Sequence, residues 1–221
     1  MKTQKRRTLK ATKVISNTVL NDGVHCIKLE RNFNFQAGQV IALALHTDDE
    51  PRLYSIASGQ NDPYLSILFD VKPMGELTPP LSQIEAGQTV YRSDPFGKFL
   101  CQEKPATWIA TGTGIAPFIA LAKSGMANDI TLLHGARTLD KFYFQDYFEQ
   151  ELGENYLRFC TTESSEKVNS GRLTNYLQTA ENLPTNNKYY LCGGSEMVID
   201  VREILIARGV PFDNIVAEIY F

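Results

Sequence analysis

The stretch WIATGTGIAPF, residues 108–118, joins an apolar run of strand length to a run of small residues and then to a segment of helical character. Small residues at Thr111, Gly112, Thr113 and Gly114 let a backbone approach an anion where a helix starts, and a helix N-terminus favours negative charge. The spacing is not the six-position glycine fingerprint of dinucleotide-binding folds, but it answers the same physical demand for a pyrophosphate. The plainer alternative, a tight strand-to-helix turn packed against its sheet, holds only if the other motifs of the chain are coincidence.

Toward the C-terminus, short apolar runs alternate with longer amphipathic ones. Residues 108–110, 130–134, 157–160, 189–192 and 215–219 read as strands, and residues 116–124, 139–152, 173–180 and 197–208 as helices. That alternation predicts a five-stranded parallel sheet covered by helices. Open sheets of this kind bind ligands at the carboxyl ends of their strands, and Cys192-Gly193 ends a strand at that edge. By itself Cys192 reads as a small buried thiol.

Toward the N-terminus the pattern differs. Runs around Val14 and over residues 25–29, 40–45, 53–57, 65–69 and 89–91, punctuated by turn residues, predict a six-stranded antiparallel sheet closed into a barrel. A short helix is expected over residues 77–84, with Pro79 and Pro80 suited to its start. The polar stretch 100–106, which contains Pro105, separates the two patterns. The expected architecture is therefore a β-barrel domain over 1–103 followed by an α/β domain over 104–221.

Composition excludes several classes. Lys and Arg number 22 against 25 Asp and Glu, a net charge of −3, which argues against general nucleic-acid binding. No stretch approaches the roughly 20 apolar residues of a membrane span. Cys26, Cys101, Cys160 and Cys192 lack the close spacings that hold zinc or an iron–sulfur cluster, so no metal centre is expected, and scattered thiols suit a reducing compartment. The basic N-terminus (Lys2, Lys5, Arg6, Arg7, Lys10, Lys13) has no apolar secretory core, so a cytoplasmic location is expected. That run is a solvated arm or a docking patch for an acidic partner.

Two barrel segments add chemistry. On a strand, Arg52-Leu53-Tyr54-Ser55 would project Arg52 and Tyr54 to one face and Leu53 and Ser55 to the other. A guanidinium beside an aromatic ring can hold a phosphate while the ring stacks on a flat cofactor, although four residues alone read as a cross-strand surface pair. In LSILFDVKPMGELTPPL, residues 65–81, a strand ends in a turn and a helix opens near Glu76, Leu77 and Thr78. Backbone N–H groups there could receive a diphosphate; the plainer alternative is a strand–turn–helix in which Gly75 turns the chain and Thr78 caps the helix.

With these segments in view, the chain resembles the ferredoxin–NADP reductase family, in particular its bacterial ferredoxin or flavodoxin reductases. The resemblance rests on RLYS (52–55), VKPMGELTPPL (71–81), DPFG (94–97), ATGTGIAPF (110–118), LCGGSEMV (191–198) and AEIYF (217–221), in that order. It implies an FAD-binding barrel and an NADP-binding α/β domain. By resemblance, Arg52 would bind the FAD pyrophosphate, Tyr54 would stack on the isoalloxazine with Leu53 beside it, and Ser55 would lie near flavin N5. Gly75, Glu76, Leu77 and Thr78 would supply further diphosphate contacts, and Thr113 would lie close to the flavin. The nicotinamide dinucleotide would run along Thr111, Gly112, Thr113, Gly114, Cys192 and Gly193, with Cys192 bordering the nicotinamide pocket.

The C-terminal Glu218-Ile219-Tyr220-Phe221 is implied to lie at the reacting centre. Glu218 would serve proton supply or electrostatics, Tyr220 would shield the flavin, and Phe221 would touch adenine or finish the core. Ser55, Cys192, Glu218 and Tyr220 are thus the expected catalytic set. Arg137 and Arg172 match family positions near the adenosine 2′-phosphate, and taken alone are solvated helix-start residues. Thr161-Thr162-Glu163 stands where relatives commonly have Ser-Arg-Glu, so one cation is missing and the preference for NADPH over NADH should be weakened.

The implied activity is electron transfer between NADP(H) and a ferredoxin or flavodoxin, by a monomer or weak dimer. The alternatives are an NAD(P)H-dependent flavin or ferric-chelate reductase and the reductase component of an oxygenase. A non-catalytic flavin-binding electron-transfer subunit fits less well, because such subunits carry a cysteine cluster near the C-terminus.

Overall fold

The computed structural model describes residues 7–220, the side chain of Tyr220 excepted. The chain falls into two compact units, one ending at Lys98 and the other beginning at Phe99.

The first unit contains β1 (Lys10–Asn21), β2 (Val24–Glu30), β3 (Val40–Ala44), β4 (Arg52–Ser55), β5 (Tyr64–Asp70), α1 (Thr78–Ser82) and β6 (Thr89–Arg92). Its sheet has the order β4-β3-β6-β1-β2-β5, and every neighbouring pair is antiparallel. An antiparallel bridge between Ile56 and Ile67 brings the chain beyond β4 onto β5 at the opposite edge, which closes the sheet into the expected barrel. The long β1 serves two partners: Lys10 to Lys13 pair with β6, and Val14 to Asn21 with β2, with a register slip between Val14 and Ser16. Such a slip bends a strand, as closure requires.

Alternating side chains of these strands fill one core. Ile27, Leu29, Ile41, Leu43, Ile56, Leu65, Ile67 and Val90 are fully buried in it. The helix α1 is shorter than its sequence suggests and is held by Leu81, also fully buried. The Asn17 side-chain amide donates to the carbonyls of Ser82 (3.0 Å) and Ile84 (3.1 Å), tying the end of α1 to β1.

The second unit contains β7 (Ala106–Thr111), α2 (Ala116–Lys123), β8 (Ile130–Ala136), α3 (Gln145–Leu152), β9 (Tyr156–Cys160), β10 (Asn169–Ser170), α4 (Leu173–Thr179), β11 (Lys188–Gly194), α5 (Ser195–Ala207) and β12 (Ile215–Tyr220). Its parallel sheet runs β10-β9-β8-β7-β11-β12. The five expected strands are present, and the sixth, β10, has only two residues, too few to leave a period in the sequence.

The expected helix over 139–152 is broken. One 3₁₀ turn covers Leu139–Lys141, Phe142 and Tyr143 are buried, and Phe144 takes a left-handed φ of 61° before α3 begins. Phe142 packs edge-on against the buried His134 ring at 5.1 Å, so tertiary packing overrides helical continuity here.

From the central β7 the chain proceeds to β8 and β9 on one side, then returns to β11 and β12 on the other. The direction of winding therefore reverses between β7 and β11, and a sheet of this kind opens a crevice at the carboxyl ends of those two strands. No described helix is long and apolar enough to cross a membrane.

Candidate functional site

Register places the two glycine-containing segments of the second unit side by side. Cys192 pairs with Ala110 of β7 and with Glu218 of β12, so Thr111-Gly112 and Gly193 leave the sheet at the same edge. Gly112–Ile115 forms one 3₁₀ turn before α2, with the carbonyl of Thr113 accepting the Ala116 N–H. Helix α2 thus starts at Ala116, where the sequence suggests, and the small residues before it form the 3₁₀ turn. A Cβ on Gly114 would lie 2.6 Å from both the carbonyl carbon of Cys192 and the Cα of Gly193. Only glycine lets these two backbones meet.

Against this edge lies a cavity of about 540 Å³, within the range of ligand sites. Thr111 and Gly112 come from the end of β7, Arg137 from beyond β8, Thr161 from beyond β9 and Arg172 from the start of α4, while Glu196 and Asp200 project from α5. Lys141, at the end of the 3₁₀ turn, completes the lining on the basic side. Among the described residues, the side chains of Arg137, Lys141 and Arg172 have no hydrogen-bond or ion-pair partner. Three unpaired cations against two carboxylates leave the cavity net positive, which suits an anion.

The sequence reading found Arg137, Arg172, Thr111 and Gly112 but missed Lys141, Glu196 and Asp200. Inside an unbroken helix Lys141 is one more surface cation; the unwinding at 142–144 is what delivers it to the cavity. A basic residue four positions after Arg137, just beyond a strand's carboxyl end, was the available signal.

Thr162 does not face the missing-cation problem unaided. Its hydroxyl donates to the Arg137 carbonyl, and the Glu163 carboxylate accepts the Leu139 N–H at 2.6 Å. The loop after β9 therefore braces the segment that carries both Arg137 and Lys141.

Cys192 is fully buried in the middle of the sheet, and Glu218 is half-buried on the neighbouring strand. The backbone of Tyr220 pairs with Gly194; the Tyr220 side chain and Phe221 lie outside the described residues.

In the first unit, depth along β4 separates the side chains more than the face they project from. Arg52 is exposed, Leu53 is 58% exposed, Tyr54 is half-buried and Ser55 is buried. The Tyr54 ring stands edge-on to Phe69 at 6.4 Å, and burial pushes its phenol up to about 12, against the pull of the neighbouring Arg52. The Arg52 guanidinium itself has no hydrogen-bond or ion-pair partner among the described residues.

Leu77 packs into the same apolar cluster as Tyr54, so the segments around β4 and α1 share one anchor. The Gly75 N–H donates to the Lys72 carbonyl at 2.8 Å and closes a turn. Thr78 is the first residue of α1 rather than its cap, and its Oγ1 accepts the Lys72 N–H at 2.8 Å. An anion at this turn would accordingly be served by N–H groups from Glu76 onward, not by that of Gly75.

These arrangements suit FAD and a nicotinamide dinucleotide on grounds of their own: an unpartnered cation beside an aromatic ring, and a cationic cavity at a glycine-lined strand edge. Residues 108–203 match the model of the oxidoreductase NAD-binding domain family. The ferredoxin–NADP reductase of Azotobacter vinelandii is 26% identical over 235 residues, spanning 91% of each chain. The flavodoxin/ferredoxin–NADP reductase of Shigella flexneri is 32% identical over 195 residues, spanning 76% of this chain and 77% of that one. A solved ferredoxin NADP+ reductase from Neisseria gonorrhoeae, with bound FAD and NADP, shares the fold at a TM-score of 0.88 and 19% identity, covering 98% of this chain and all of its own. With 32% identity to the Shigella flexneri reductase sustained over three-quarters of its length, this chain belongs to the ferredoxin–NADP reductase family of oxidoreductases.

Proposed function

We propose that the chain is an FAD-dependent reductase that takes electrons from NADPH and delivers them to a ferredoxin or flavodoxin. The observation that carries this reading is the cavity of the second unit, lined by Thr111 and Gly112 at the end of β7 and by three unpartnered cations, next to the strand ends where the two glycine segments meet. FAD, when bound, supplies the conversion between two-electron and one-electron transfer.

The chain's own residues bind, orient and tune. Arg52 holds a phosphate of the FAD, Tyr54 presents its ring to the isoalloxazine with Leu53 alongside, and Ser55 offers a hydroxyl near N5. Glu76, Leu77 and Thr78 add backbone donors to the diphosphate, following the turn at Gly75, and Thr113 approaches the flavin. Thr111, Gly112, Gly114 and Gly193 admit the dinucleotide backbone, while Arg137 and Arg172 receive its adenosine phosphate. Cys192 and Glu218 set polarity beside the nicotinamide; Tyr220 covers the flavin, and Phe221 meets the adenine.

Anaerobic mixing with NADPH should bleach the flavin rapidly, and faster than NADH at equal concentration. Steady-state assays with ferredoxin, flavodoxin, free flavin and a ferric chelate then rank the acceptors, and the protein carriers should rank first. A well-folded preparation that takes up no FAD would end this reading.

Arg52→Ala should leave the fold intact, because the side chain is exposed and touches no described partner. Loss of a charge-assisted hydrogen bond of about 1.5–3 kcal/mol should weaken FAD binding by roughly 10- to 150-fold. Fluorescence titration of the apoprotein with FAD measures this, and unchanged affinity would remove Arg52 from the site.

A further inference from the structure

We propose that Lys141 is the cation that sets this chain's preference for a dinucleotide carrying an adenosine phosphomonoester, occupying by another route the role that Thr162 cannot fill. The proposal rests on the cavity of the second unit being the nucleotide site.

The charge inventory of the cavity is close to balanced, so the presence of Lys141 sets its sign. Its lining carries three cationic side chains, Arg137, Lys141 and Arg172, and two acidic ones, Glu196 and Asp200. Without Lys141 the formal charges balance, and the pull of Arg137 and Arg172 on an anion is offset by the two carboxylates. With it the balance tips positive, and a phosphomonoester bearing a charge of about −1.5 to −2 at neutral pH is favoured over a ribose hydroxyl. The acidic pair works the other way, since carboxylates suit a free 2′-hydroxyl.

Position supports the same role. Lys141 ends a 3₁₀ turn whose first N–H, that of Leu139, is held by the Glu163 carboxylate at 2.6 Å. The Thr162 hydroxyl meanwhile holds the Arg137 carbonyl. The two residues that follow Thr161 therefore contribute no positive charge; they fix the backbone of the segment that does. Lys141 is exposed and unpartnered among the described residues, so its ammonium is available to a ligand and its replacement leaves no buried group stranded.

The test uses the FAD-loaded protein and two probes, adenosine 2′,5′-bisphosphate and 5′-AMP, followed by titration calorimetry. The wild type should bind the bisphosphate more tightly. Lys141→Ala should weaken the bisphosphate by roughly tenfold, Lys141→Glu by roughly a hundredfold, and Lys141→Arg should restore it. The ratio of kcat/KM for NADPH to that for NADH should fall in parallel.

Bisphosphate affinity within twofold of wild type in Lys141→Ala, while Arg172→Ala weakens it, would remove Lys141 from the subsite and leave the reductase reading standing. A wild type that binds neither probe and is not reduced by NADPH would end both.

Discussion

Gly114→Ala should lose nucleotide-dependent flavin reduction by a hundredfold or more and destabilise the α/β unit by about 2–4 kcal/mol, whereas Gly112→Ala, two residues away, should cost about 1 kcal/mol. The contrast comes from what each new methyl group would meet. At Gly114 it would lie 2.6 Å from the Cys192 carbonyl carbon and from the Gly193 Cα, backbone atoms held in a sheet by β7 on one side and β12 on the other. Nothing flexible stands there to give way, so the 3₁₀ turn or the end of β11 must move. Either shift displaces the residues that line the cavity, and a displacement of about 1 Å is enough to cost two orders of magnitude in rate. At Gly112 the φ of 55° favours glycine, but a Cβ would meet nothing within 4 Å. That substitution carries backbone strain alone. Thermal unfolding separates the stability terms, and anaerobic reduction by NADPH reads the site. Equal behaviour of the two variants would mean that the approach of the two backbones does not govern the site.

The sequence made the two-part architecture legible because the hydrophobic period switches from two to the helical repeat near Pro105, and both units obey that pattern. Periodicity failed where packing outvotes local preference. Residues 139–152 carry a helical pattern, yet Phe142 and Tyr143 are both buried, Phe142 on His134 of the sheet, and the helix is broken before α3. Lys141 was lost to the reading for that reason alone.

The glycine segments were legible as neighbours on one sheet edge, but their direct backbone contact was not. Nothing in the order of residues says that Gly114 must touch Cys192 and Gly193; the parallel register of β7 with β11 does. For Arg52-Leu53-Tyr54-Ser55, alternation gives direction and not depth, and burial deepens from Arg52 to Ser55 along the strand. Thr78 illustrates the limit of short motifs: a threonine at a helix start suggests a cap, but its hydroxyl serves the preceding turn at Lys72.

Acid should unfold the α/β unit through a single buried imidazole. His134 is fully buried, with Nδ1 at 2.8 Å from the Tyr156 hydroxyl, and Nε2 has no partner among the described residues. Burial, with the nearby Arg158 guanidinium adding repulsion, lowers its pKa from 6.5 to about 3. Arg158 is itself held by Glu149 at 2.6 Å and by Gln145 at 3.0 Å, so the positive charge beside the ring is fixed in place. Because the folded pKa is depressed, the unfolded chain takes up a proton below pH 6.5 while the folded one stays neutral until about pH 3. Stability is complete above pH 6.5 and is lost through that window, at about 1.4 kcal/mol per unit and on the order of 5 kcal/mol in total. His134→Leu removes the titrating group but leaves the Tyr156 hydroxyl unpaired, at a cost of about 1–3 kcal/mol near neutrality. The variant should therefore be the less stable protein at pH 7, and its deficit should shrink or reverse by pH 4. Urea unfolding of both proteins at pH 7, 5.5 and 4 measures the difference. Stability curves that stay parallel across that range would mean the imidazole titrates alike in the folded and unfolded chains, and would return the acid sensitivity to the surface carboxylates.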